Sequence, residues 1–178
     1  RKELVDCLAK NGKRVIEYLD SLGFLDKNVI AAHCSWITKG EIRTLAERKT
    51  KVAACPVSNA KLGTGGVVPI PEMRDSGVLV TLGTDAPVSN NSLNMFETMK
   101  FCSLLLKSQR WDPAIVKAQE MLDFATVNGA RALGLDAGSI EEGKLADIIL
   151  IDLEEIGMLP INDILANIVY SGNPSAVD

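Results

Sequence analysis

Histidine is almost missing from this chain: His33 is the only one among 178 residues. No second imidazole is therefore available to activate a thiol, and nucleophilic cysteine chemistry by Cys–His pairing finds little support. The four cysteines, Cys7, Cys34, Cys55 and Cys102, lie far apart with no C-x-x-C spacing, which argues against a zinc ribbon and a secreted disulfide framework. Reduced, mostly buried thiols in a soluble cytoplasmic protein are the expectation. No apolar run approaches the roughly 18 residues of a membrane span, so no membrane partner is expected. A dense Lys/Arg cluster is also lacking, and 19 basic against 23 acidic residues leave the chain mildly acidic, which disfavours nucleic-acid binding. Internal repeats and low-complexity segments are absent. The chain opens on Arg1, without Met or a charged-then-apolar leader, and is expected to be a piece of a longer protein.

What is present is an alternation of short apolar runs with amphipathic stretches, the pattern of a parallel α/β architecture. Two runs have the same ending. Residues 78–83 are β-prone and finish in Gly83, Thr84 and Asp85; residues 29–34, Val-Ile-Ala-Ala-His-Cys, finish in His33 and Cys34. In parallel α/β folds the carboxyl ends of strands are where loops converge and ligands bind. Asp85 and His33 are accordingly the candidate functional residues. An Asp that merely caps the next helix and a satisfied core histidine are the plain structural alternatives.

The rest of the chain reads as connectors and covers. Residues 1–22 predict one broken or two short helices, interrupted at Asn11-Gly12 and closed by Gly23. Thr38 and Glu41 form a capping-box pattern. A third strand, 51–55, stops at Pro56, and 57–68, with Gly63, Gly65 and Gly66, predicts a flexible covering loop. It lacks the Gly-Lys-Ser/Thr ending of a phosphate loop. A short helix over 69–76 and three more follow: 92–108, with Leu93, Phe96, Met99 and Leu106 inward; one capped by Asp112 with Pro113 in its first turn; and one capped by Thr126 and ended by Gly134. The apolar run 145–153 predicts a strand outside the strand–helix alternation, and 161–170 a last helix. Ser58-Asn59 reads as a pair that orients its loop through local backbone bonds, and Trp36 as either a pocket-lining or a core aromatic.

Three segments, Ala-Ala-His-Cys-Ser-Trp (31–36), Ala-Cys-Pro-Val-Ser-Asn-Ala-Lys-Leu-Gly (54–63) and Leu-Gly-Thr-Asp-Ala-Pro-Val-Ser-Asn-Asn (82–91), occur in order with gaps that admit one helix each. Together they resemble the C-terminal half of metal-dependent amidohydrolases, in the branch of 5-methylthioadenosine/S-adenosylhomocysteine deaminases and 5'-deoxyadenosine deaminases. The resemblance implies a (β/α)8 TIM-barrel half over residues 1–135 and, over 136–178, the start of a small β-sandwich segment with a terminal helix. A complete barrel needs about 250 residues, more than this chain has.

The resemblance also implies roles. Asp85 becomes a metal ligand that contacts the nucleophilic water, His33 a catalytic group that hydrogen-bonds that water, and Ser89 a substrate-binding residue. The cofactor implied is one divalent metal ion, zinc before iron or manganese, and the partner a small-molecule nucleoside. The His-x-His pair, a further His ligand and an acidic Glu of that family have no counterpart here, so the isolated chain is expected to be inactive. Ala54 replaces a His that many relatives carry, at a position that is not a required ligand in this branch. A homo-oligomer, or association through open sheet edges, is expected. A triazine- or guanine-type hydrolase of the same superfamily is one alternative; a non-catalytic barrel fragment or interaction module is another.

Overall fold

The computed structural model describes residues 2–178, so expectations attached to Arg1 lie outside it. Helices α1 (Lys2–Asn11) and α2 (Val15–Ser21) break where expected, at Gly12, whose positive φ of 64° ends the first. Strand β1 (Ile30–Ala32) follows, then α3 (Lys39–Glu47), β2 (Lys51–Ala54), α4 (Pro56–Lys61), α5 (Ile70–Asp75) and β3 (Val80–Leu82). After β3 the chain is helical through α6 (Pro87–Asn90), α7 (Met95–Arg110), α8 (Ala118–Ala125) and α9 (Val127–Leu133), with α10 (Ile164–Tyr170) near the end.

The three strands form one parallel sheet in sequence order, with β2 central. Ile30 pairs with Lys51 and Ala32 with Ala53; Val52 pairs with Val80 and Ala54 with Leu82. Parallel neighbours in chain order require a helix-sized crossover between them, which α3 and the α4–α5 pair provide. In β3 all three residues are buried, and Val52 and Ala54 of β2 are fully so. Their side chains pack with Leu45 of α3, Ile70 and Met73 of α5, Leu106 of α7 and Met121 of α8 in one apolar core. Strand β1 is the exposed edge. At the other edge the Asn128 side chain of α9 donates to the Val80 carbonyl (2.9 Å), satisfying one backbone group of β3, and the Thr81 hydroxyl donates to the Phe124 carbonyl of α8 (2.8 Å), tying the strand to that helix.

Glu41, 2% exposed, anchors the entry to α3. Its carboxylate accepts from Arg14 Nε (2.7 Å) and from Thr38 N (2.8 Å), completing the expected capping box. Arg14 also donates to the Trp36 carbonyl (2.7 Å), tying the loop after β1 to α2.

Several expectations are corrected. Residues 56–61 are a helix rather than the start of a loop: Pro56 sits in the first turn, where its missing N–H costs nothing. The long helix begins at Met95, capped by the Asn94 side chain, and Leu93 is 67% exposed instead of inward. Asp112 does not start a helix; its carboxylate accepts from Ala114 N (2.8 Å) in a local turn, and α8 begins only at Ala118. Thr126 occupies the position before α9, but its hydroxyl donates back to Leu122 O (2.7 Å) and caps nothing.

The run 145–153 forms no strand among the described residues. A single antiparallel bridge joins Ile151 to Val177, and Leu145, Ile148, Ile149 and Leu150 are all more than half exposed. The expected start of a β-sandwich is thus not seen among the described residues beyond this one bridge. No helix among the described residues is long and apolar enough to cross a membrane.

Candidate functional site

The sheet delivers its two ionisable tips to one place. β1 ends at Ala32, and His33 follows with its N–H still bonded to Ala53 O (2.9 Å); β3 ends at Leu82, with Gly83 N bonded to Ala54 O (2.9 Å). Beyond these last ladder bonds both chains turn sharply. His33, Cys34 and Asp85 take positive φ values of 65°, 53° and 61°, which are unfavourable for residues with a Cβ. Strain of this kind clusters where a side chain must be aimed. Here it brings His33 Nε2 to 3.9 Å from Asp85 Oδ2 across the tip of β2.

Helix α4 sits between the two tips and binds both. Ser58, fully buried, donates to Asp85 Oδ2 (2.6 Å). Asn59, 5% exposed, places Oδ1 at 2.9 Å from His33 Nδ1 and donates from Nδ2 to Ser35 Oγ (3.0 Å). Asp85 Oδ1 accepts from Ala86 N (2.8 Å). The Ser58 hydroxyl, followed by Ser89 and the Ala86 N–H, holds the Asp85 carboxyl down at about 2, against a smaller upward push from desolvation. Ser89 lies beside the carboxylate, but its hydroxyl donates to Ala86 O (2.9 Å), which leaves Ser58 as the donor that counts. Asp85 is thus an ionised acceptor.

His33 and Asp85 open into a cleft of 610 Å³ whose walls include Ile16, Leu19, Trp36 and Asn59, a volume suited to a small molecule. Trp36 is 44% exposed, and its indole N–H donates to Thr64 O (2.5 Å), so it pins the glycine-bearing loop at the rim of the cleft. A second hollow of 380 Å³ lies under that loop against Cys102 and Leu105 and contains neither His33 nor Asp85. Burial pushes the Cys34 thiol up to about 12 and the Cys55 thiol up to about 11, so neither is held as the reactive thiolate at neutral pH.

The three expected site residues therefore fall together, Ser89 through its neighbourhood to Asp85 rather than as part of the cleft wall. Ser58 and Asn59 do more than the loop-orienting role their types suggest. The available signal was their position directly after a strand that lies between the two strands with ionisable tips.

A metal needs donors that converge on one point. Asp85 suits it, as an ionised oxygen ligand at a strand tip. A zinc site takes three or more protein ligands, and no group of three or more His, Cys, Asp or Glu that could hold a metal exists among the described residues. The described residues therefore do not make a metal site by themselves.

A parallel sheet joined by helical crossovers, with polar groups gathered at the carboxyl ends of its strands, is the arrangement of an α/β enzyme fold. The whole chain, residues 1–178, matches the Amidohydrolase family and belongs to it. It is 44% identical over 177 residues to 5-methylthioadenosine/S-adenosylhomocysteine deaminase 1 of Archaeoglobus fulgidus, covering 99% of this chain and 42% of that protein. It is 43% identical over 176 residues to 5'-deoxyadenosine deaminase of Methanothermobacter thermautotrophicus, covering 99% and 41%. Among solved structures, a zinc-bound adenosine deaminase from Xanthomonas campestris superposes with a TM-score of 0.95 at 36% identity, covering 99% of this chain and 40% of that one. The chain thus spans about two fifths of the length of these relatives.

Proposed function

We propose that a protein combining this chain with the remaining length its relatives possess is a metal-dependent aminohydrolase of adenosine-type nucleosides. Its substrates would be 5-methylthioadenosine, S-adenosylhomocysteine or 5'-deoxyadenosine, and its product ammonia. The observation that carries this reading is the ionised Asp85 facing His33 at the tips of two strands of one parallel sheet. The names of the relatives support the substrate class.

Hydrolytic deamination adds water to the ring carbon that bears the amino group, after which the C–N bond breaks and ammonia leaves. The water must give up both protons in turn, one to the ring nitrogen beside that carbon and one to the departing amine. Asp85, an acceptor at neutral pH, takes the water's proton and can return it to the leaving side. His33 Nε2, on the other side of the 3.9 Å gap, hydrogen-bonds the same water and orients it. Ser89 is assigned to contact with substrate. A divalent ion, zinc by preference and otherwise iron or manganese, would be held with Asp85 as one ligand and would bring the pKa of a bound water to about 7. The chain alone offers one such ligand and is proposed to be catalytically silent. Its sheet edges are proposed to be covered in a larger assembly, either by the rest of a barrel or by a second copy.

Ammonia release from the three nucleosides, measured with the longer protein, is the test. Turnover of at least one supports the reading; dechlorination of a triazine with no ammonia from any of them refutes it.

A further inference from the structure

We propose that Asn59 is the positioning residue of this site: it holds the His33 imidazole with Nδ1 protonated, so that Nε2 and the Asp85 carboxylate form a pair of acceptors for one water. This rests on the aminohydrolase reading and assigns to α4 a function that reading does not require.

Both ends of the Asn59 amide are engaged, Oδ1 by His33 Nδ1 at 2.9 Å and Nδ2 by Ser35 Oγ at 3.0 Å. Its backbone is equally fixed: Asn59 N donates to Cys55 O (3.0 Å), and Asn59 O accepts from Thr64 N (3.1 Å). The side chain is buried, so water cannot readily substitute for either partner. An amide oxygen only accepts, so the ring nitrogen facing it carries the hydrogen. A neutral imidazole has one N–H, and Nε2 is therefore left with its lone pair.

That lone pair faces Asp85 Oδ2 across 3.9 Å. The carboxylate, already bonded to Ser58 and Ala86 N, can also only accept. Two acceptors do not bond each other, and the gap is too long for a direct hydrogen bond. It is the right size for a water oxygen at ordinary hydrogen-bond length from both, donating one O–H to each. Such a water turns its own lone pairs into the cleft, the orientation a nucleophile needs. With the amide reversed, the ring would carry its hydrogen on Nε2 and this arrangement would be lost.

His33 is the only histidine, so long-range 1H–15N spectra of the full 15N-labelled chain contain one imidazole. For the neutral ring we expect a protonated Nδ1 and an unprotonated Nε2. Asn59→Ala should move the pattern toward Nε2 protonation, while Asn59→Asp, whose side chain also accepts, should keep it. A protonated Nε2 in the unsubstituted chain overturns the proposal without recourse to any variant, and so does an Asn59→Ala spectrum unchanged from it. In the longer protein, Asn59→Ala should lower kcat about 10- to 100-fold with little change in KM, and Asn59→Asp should restore part of it; an unchanged kcat refutes the role. The two readings fail separately. The expected tautomer without ammonia release sinks only the reaction, and ammonia release with the reversed tautomer sinks only Asn59.

Discussion

Ser58 Oγ lies 2.6 Å from Asp85 Oδ2, a hydrogen bond from a fully buried hydroxyl on α4 to a strained carboxylate at the tip of β3. It is the largest influence holding that carboxyl ionised. Ser58→Ala removes the donor to Oδ2 and leaves Asp85 held through Oδ1 by Ala86 N. In the longer protein kcat should fall about 10- to 100-fold, the usual cost of losing a partner that orients a reacting group. Ser58→Thr keeps a hydroxyl and should recover activity if the methyl is accommodated. Steady-state kinetics on the two variants provide the check, and equal activity in Ser58→Ala would remove Ser58 from the machinery.

The two strand tips should separate by function. Asp85→Asn keeps the shape but loses the charge and the proton acceptor, so the longer protein should lose most of its metal and nearly all turnover. On the roles proposed above, which give the imidazole to the water rather than the ion, His33→Ala should keep its metal and lose turnover. Metal analysis beside an ammonia assay distinguishes them. Metal lost with His33→Ala but retained with Asp85→Asn would exchange the two roles.

The strands and their tips were legible because a buried parallel strand is a short, nearly continuous apolar run, and one ionisable residue at its end stands out. The structure kept all three, trimmed to Ile30–Ala32, Lys51–Ala54 and Val80–Leu82. Helix α4 was not legible. Six residues beginning Pro-Val-Ser-Asn are too short for periodicity, and Ser and Asn are ordinary turn residues that outweigh the two good helix formers at the end, Ala60 and Lys61. Its formation rests on burial: Pro56, Ser58 and Asn59 are all buried. The run 145–153 failed in the opposite way. It has the composition of a strand, but a strand exists only with a partner, and only Ile151 finds one, in Val177. Asp112-Pro113 showed a valid helix-start pattern that a local turn also satisfies.

Gly65 should not tolerate a side chain. It holds a φ of +104°, and a Cβ there would run into the Trp36 indole, which is itself held by its bond to Thr64 O. Gly65→Ala must displace either the ring or the loop, at a cost of about 1–3 kcal/mol for the strained backbone. Thermal unfolding should register the loss. Trp36 emission should shift as well; Trp111, 93% exposed, contributes a constant solvent-exposed background. Gly66→Ala is the control, since nothing lies within 4 Å of a Cβ there; it should cost backbone strain but leave Trp36 emission alone.

Alkaline pH should weaken the fold through its thiols. Burial is the main cause that pushes Cys34 and Cys102 up to about 12 and Cys55 up to about 11. The folded chain therefore keeps protons that the unfolded chain releases once pH passes the ordinary thiol value near 9. The sign follows from that difference: this contribution is fully present below about pH 9 and is lost progressively as pH rises toward 11–12. Cys102, only 1% exposed, gives the cleanest comparison, with a slope of up to about 1.4 kcal/mol per pH unit inside that window. Urea midpoints between pH 8 and 10.5 should fall less steeply for Cys102→Ala than for the unsubstituted chain, even though the variant starts less stable. Labelling at pH 8 supplies a second reading. With a pKa near 12 the thiolate fraction is about one in ten thousand, so Cys102 and Cys34 should remain unmodified while the chain is folded and react once it is unfolded. Rapid modification of Cys102 in the folded chain, or parallel pH slopes for the two proteins, would show that this thiol is not held as the packing around α7 implies.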